Sequence, residues 1–173
     1  GLGDRLLLSC SQVSNGDGAL LGMELSSPDG TLHYRAQVQM VEDRTPASTE
    51  ASADPSLDDW GGAPIYGDVL FHTDEFQVIQ TLDGVGDDGI SGTLKGVDKA
   101  KWGWERWNTD VAALDGGLQL ILLWARDQMG GAVLPTGIGE VHMSADTPPQ
   151  GSIRCIAECR AASKNRGMAN VSF

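Results

Sequence analysis

Only one stretch of this chain has the length and apolar content of a core helix, the run Asp110-Val-Ala-Ala-Leu-Asp-Gly-Gly-Leu-Gln-Leu-Ile-Leu-Leu-Trp124. The segments around it are short, strand-like and separated by turn residues, and nothing alternates strand with helix as a βαβ chain would. The expected class is therefore α+β, an antiparallel sheet wrapped around one long central helix.

That helix carries an oddity. Asp115, Leu118, Gln119 and Leu122 fall at i, i+3, i+4 and i+7, so an acid and an amide one turn apart share a face with leucines, and Asp115 is expected to point inward. Asp110 is placed to cap the first turn. Gly116 and Gly117 each cost a helix interior about 1 kcal/mol relative to alanine, so a second backbone or a narrow ligand is expected close to this turn. The plainer interpretation is a core helix whose aspartate hydrogen-bonds a neighbouring backbone amide. The two glycines and Gln119 favour a site.

The chain has a visible seam. Residues 1–41 read as a meander of strands at Leu6 to Val13, Ala19 to Ser26 and Thr31 to Met40, with turns at Asn15-Gly-Asp-Gly18 and Ser27-Pro-Asp-Gly30. Residues 42–60 are rich in Thr, Pro, Ala, Ser, Glu and Asp and read as a flexible linker. In 61–173, a turn or short strand at Ile65 to Leu70 precedes strands at Glu75 to Val85 and Ile90 to Val97, with Phe76, Val78 and Ile79 expected inside. After the helix come strands at Ala132 to Met143, Gly151 to Cys159 and Ala169 to Phe173.

Charge excludes some partners. A net charge of −12 argues against nucleic acid and against an anionic membrane surface, both of which reward Lys and Arg. It would also repel an acidic carrier protein unless a local basic patch received it. Lys95, Lys99, Lys101 and Arg106 are the candidate patch, though a solvated edge explains them as well. The three cysteines, Cys10, Cys155 and Cys159, have no metal-ligand spacing. Cys155 and Cys159 are four apart in a strand, would face the same side, and are expected to be reduced, buried thiols. With no apolar run of about 18 residues and no leader-like segment, a cytoplasmic setting is expected.

Three segments carry a family resemblance: Pro64-Ile-Tyr-Gly-Asp-Val-Leu-Phe-His-Thr-Asp-Glu-Phe-Gln77, Ala112-Ala-Leu-Asp-Gly-Gly-Leu-Gln119 and Leu134-Pro-Thr-Gly-Ile-Gly139. Together they resemble the second half of a polyketide synthase dehydratase domain, with the opening closest to synthases of the polyunsaturated fatty acid or iterative polyketide type. The resemblance implies a double hotdog, in which residues 61–173 are the second hotdog and 1–41 the trailing strands of the first. Asp115 and Gln119 match that family's Leu-Asp-x-x-x-Gln/His helix position by position, which implies catalytic roles. The same resemblance implies substrate contacts from Gly116, Gly117, His72, Phe76 and Pro135, with no metal and no cofactor beyond the phosphopantetheine that carries the substrate. The implied partners are an acyl carrier protein, other synthase domains and a second copy of the chain.

Departures from the pattern qualify this. Dehydration of a 3-hydroxyacyl thioester needs a base for the α-proton and an acid for the departing hydroxyl. The family places the base in an H-x-x-x-G-x-x-x-x-P pattern, which none of His33, His72 or His142 begins. Thr73 and Asp74 stand where the family has Gly-Pro. His72 matches a position that is a structural aromatic or histidine in the family, and reads as a satisfied, partly buried side chain. Trp102, Trp104 and Trp107 read as packing at the start of the helix, Trp124 as core. Three functions are compatible with these residues: a dehydratase-like domain acting on carrier-bound 3-hydroxyacyl thioesters, a non-catalytic pseudo-dehydratase with a structural or acyl-binding role, and a hotdog thioesterase whose helix carboxylate activates water.

Overall fold

The computed structural model describes residues 5–14, 20–39, 55–103, 107–131, 133–142 and 151–173. The chain divides into two compact units, Gly1–Ser48 and Thr49–Phe173.

The first unit is the expected meander: β1 (Leu7–Ser14), β2 (Leu20–Ser26) and β3 (Leu32–Gln39), antiparallel and in that order. Cross-strand partners share a face, and here they sort by chemistry. Leu8 opposes Leu25, Cys10 opposes Met23, and these continue to Tyr34 and Ala36, so one face is apolar. The other pairs Ser9 with Glu24 and Glu24 with Arg35, whose Nε lies 2.9 Å from the Glu24 carboxylate.

The second unit is a hotdog: a four-stranded antiparallel sheet holding one long helix. Its strands are β4 (Ile79–Gly86), β5 (Gly89–Lys95), β6 (Ser152–Ser163) and β7 (Arg166–Ser172), in sequential order. A short helix, α1 (Val97–Ala100), takes over where the sequence suggested the strand would run on to Val97. The central helix, α2 (Val111–Met129), starts at Asp110 as expected. The buried Asp110 carboxylate accepts from the Ala113 amide at 2.8 Å and from the Val97 amide at 3.0 Å, so one side chain caps α2 and ties α1 to it.

The face that α2 turns to the sheet differs from the expected one. Ala113, Gly116, Gly117, Leu120, Leu123 and Trp124 are buried, whereas Leu118 and Leu122 are only partly so, and Asp115 stands half-buried on the flank. The glycines explain the rotation. A Cβ on Gly116 would lie 2.8 Å from Leu94 of β5, and one on Gly117 would lie 2.9 Å from Val171 and 3.2 Å from the Phe173 ring. Sheet side chains therefore occupy the notch for which a second backbone or a ligand was expected. Leu94, Ile90, Cys155, Ala157 and Ile153 complete this core with Leu120, Leu123 and Trp124.

Two other expectations are corrected. Residues 133–142 form no strand and, apart from Val133, are exposed; Pro135 lacks a ladder donor, while Gly137 and Gly139 give a strand no side chain to pack. Strand β4 begins at Ile79 rather than Glu75, because Asp74–Phe76 form a 3₁₀ turn with Asp74 at φ 52°. Phe76 is consequently 56% exposed instead of buried, while Val78 and Ile79 are inside as expected. Most of the expected linker lies outside the described residues, but its last part does not run free: the Asp58 amide and carbonyl both pair with Val85. Gly86 admits the Ser56 carbonyl beside it, where a side chain would collide.

Cys155 and Cys159 are free thiols buried on the helix side, and Cys10 is exposed. Burial pushes both core thiols up from 9.0 to about 12, with Cys159 adding to the shift of Cys155, and Asp88 and Glu158 to that of Cys159. A thiol-reactive probe at neutral pH should thus label one cysteine per native chain and three after denaturation; rapid native labelling at three sites would contradict this packing.

Candidate active site

The site is assembled from three segments: the loop before β4, the start of β4, and the second and third turns of α2. The loop is folded by an isolated bridge between Tyr66 and Leu70 and by the Gly67 amide donating to the Leu70 carbonyl at 2.9 Å, with Leu70 itself buried in the core. This places the Tyr66 hydroxyl over the helix.

Gln119 is the centre of the arrangement and is 1% exposed. Its Nε2 donates to Asp115 Oδ2 at 2.6 Å and to the Phe76 carbonyl at 2.9 Å. Its Oε1 accepts from the Tyr66 hydroxyl at 2.8 Å, and the Tyr66 oxygen accepts from the Ile79 amide at 2.7 Å. Asp115 and Gln119 are thus brought together as the one-turn spacing implies, and the partner of Asp115 is a side-chain amide rather than a backbone one. Phe76 joins through its carbonyl, while its ring packs at 5.1 Å against Trp102.

The other expected contacts are placed differently. Gly116 and Gly117 face the sheet, as described above. Pro135 sits in the exposed 133–142 stretch. His72 is half-buried and stacked on Phe71 at 4.6 Å, but its buried Nδ1 has no partner among the described residues, so it is not the satisfied histidine that was expected. His33 bonds Ser27 within the first unit, and His142 pairs with Glu140 at 3.0 Å.

Tyr66 is the residue that sequence reasoning missed. It lies inside the first segment of the resemblance, flanked by Gly67 at φ 110°, a turn signal that could have marked it as fixed in place. Burial raises its hydroxyl from 10.0 to about 12, opposed by its bond from Ile79 and reinforced by the Asp115 charge, so it remains a proton donor across the physiological range. Tyr66, Cys155 and Cys159 all hold protons in the native chain that the unfolded chain releases earlier. Between about pH 9 and pH 12 the unfolded state then binds fewer protons, so stability falls as pH rises. Urea melts should show that alkaline loss, reduced when Cys155 and Cys159 are replaced by Ala; equal loss in both would remove the thiols as its source.

Lys95, Lys99 and Lys101 line one depression of about 240 Å³ with Asp74 and Glu75. The Lys95 ammonium donates to the Gln77 carbonyl and that of Lys99 to the Ser152 hydroxyl, both at 2.7 Å. Arg106 and Trp104 lie outside the described residues. Among the described residues no helix is long and apolar enough to cross a membrane, and no group of three or more His, Cys, Asp or Glu side chains could hold a metal ion.

Residues 43–172 match the family model described as the polyketide synthase dehydratase N-terminal domain. No curated protein and no solved structure matches the chain.

Proposed function

Because the chain belongs to the polyketide synthase dehydratase family, we propose that its hotdog supplies the acid for dehydration of carrier-bound 3-hydroxyacyl thioesters. The observation that carries this is the hydrogen bond from Gln119 to one oxygen of Asp115. With Oδ2 engaged as an acceptor, the proton of a protonated Asp115 belongs on Oδ1. In the reaction a base removes the α-proton, the C–O bond breaks, and the Oδ1 proton passes to the departing hydroxyl, which leaves as water.

The matched description names the family's N-terminal domain, yet the Asp115 and Gln119 spacing is that of the second hotdog's helix. We assign 61–173 to that second hotdog on the resemblance of Asp115 and Gln119 to its helix pattern. The base then comes from outside these residues, from a partner hotdog, since no histidine here begins the expected pattern. The depression lined by Lys95, Lys99 and Lys101 would receive an acidic carrier protein, with Lys99 and Lys101 placed to meet the phosphopantetheine phosphate. The implied setting is a cytoplasmic synthase in which two copies associate.

The test is a mass-spectrometric assay in which the chain, together with the hotdog that supplies the base, is incubated with a 3-hydroxyacyl carrier protein. Loss of water to give the enoyl thioester, slowed by orders of magnitude in Asp115→Asn, is expected. Free acid instead would make it a thioesterase. No product from that folded assembly would favour the pseudo-dehydratase, which the missing histidine pattern supports.

A further inference from the structure

We infer that Tyr66 is a positioning residue for Asp115, acting through Gln119. The inference rests on the acid role proposed above, and it follows from the polarity of the groups around the Gln119 amide. A primary amide has a donor end and an acceptor end, and which way it lies is fixed by its partners. The Phe76 carbonyl can only accept, so it demands the NH₂ end of Gln119. The Ile79 amide can only donate, so it takes a lone pair of the Tyr66 oxygen and leaves the phenolic proton free for Gln119 Oε1. Two backbone groups of opposite polarity therefore set one amide orientation, and the second NH₂ hydrogen is directed at Asp115 Oδ2.

Gln119 is too buried for water to replace a missing donor, so its oxygen depends on Tyr66. Removing the hydroxyl leaves that oxygen unpaired and the Ile79 amide without its acceptor. The amide then shifts to find another donor, and the Asp115 carboxyl loses the contact that keeps its proton-bearing oxygen turned outward. Tyr66 never touches substrate in this account; its effect is on the geometry of proton delivery.

Tyr66→Phe tests this. In the dehydration assay kcat should fall by about ten- to a hundredfold, the range expected for a misplaced reacting group. KM should stay within about twofold, because ground-state binding is untouched. In a Gln119→Ala background the same substitution should cause no further loss, since its route to Asp115 is already cut. An unchanged kcat, or a full additional loss in the double variant, would overturn the proposal.

By NMR, the Gln119 side-chain amide protons should exchange slowly in the wild type and faster in Tyr66→Phe; equal protection would also count against it. If Tyr66→Phe fails to fold, 3-fluorotyrosine at position 66 keeps ring and hydroxyl. It should move the alkaline loss of kcat to lower pH, because a phenolate cannot donate to Gln119, and an unmoved profile would overturn the role. A wild-type chain that does not dehydrate even with the base-bearing hotdog present sinks the acid reading and this role with it, whereas an active wild type with an unaffected Tyr66→Phe sinks this role alone.

Discussion

Asp115→Asn should lower the dehydration rate by about 10²- to 10⁴-fold, the usual contribution of a positioned general acid, while leaving the fold intact. The two side chains have the same shape, and the asparagine oxygen can still accept the Gln119 hydrogen bond now made to Oδ2. What it lacks is an acidic proton on the second atom. Because Asp115 stands on the flank of α2 rather than against the sheet, the urea midpoint should move by no more than the equivalent of about 1 kcal/mol. A rate within threefold of wild type would remove Asp115 from the chemistry. A large fall accompanied by unfolding would recast the carboxylate as a structural group.

Trp124→Ala should cost the second unit about 3–5 kcal/mol, a large part of the stability of a typical domain. The indole is 1% exposed, its Nε1 donates to the Gly86 carbonyl at 3.0 Å, and a Cβ on Gly167 would lie 3.1 Å from its ring. One side chain thus joins α2 to the end of β4 and to β7. Truncation would open a cavity and leave a carbonyl without its donor. Trp124→Phe keeps most of the volume and loses only the hydrogen bond, for about 1 kcal/mol. Equilibrium urea unfolding followed by circular dichroism distinguishes the two; equal effects would mean that volume matters less than this packing indicates.

Much of the architecture could be read from local signals. The three meander strands, the Asp110 cap, the long helix and the same-sided Cys155 and Cys159 all follow from period, turn residues and capping chemistry, which act over a few residues. The failures lie where tertiary contacts decide. Which helix face meets the sheet depended on Leu94, Val171 and Phe173 filling the Gly116 and Gly117 notch, and periodicity alone could not rank that face against the Leu118 and Leu122 one. Residues 133–142 have strand-like apolar spacing but are broken by Pro135, Gly137 and Gly139. Asp115 and Gln119 were legible because they share one helix. Tyr66 was not, because its hydrogen bond spans 53 residues of sequence.

The meander of the first unit carries a built-in reporter. Cys10 lies on the edge strand β1 of its apolar face, opposite Met23 of the central strand, and is the exposed thiol of the three. A fluorophore or spin label attached there senses its surroundings directly. Whatever comes to lie over that face, be it a carrier, a neighbouring domain or a second copy, will slow the labelling of Cys10 and shift the emission of a label already in place, so the occupancy of the face can be titrated without altering the hotdog.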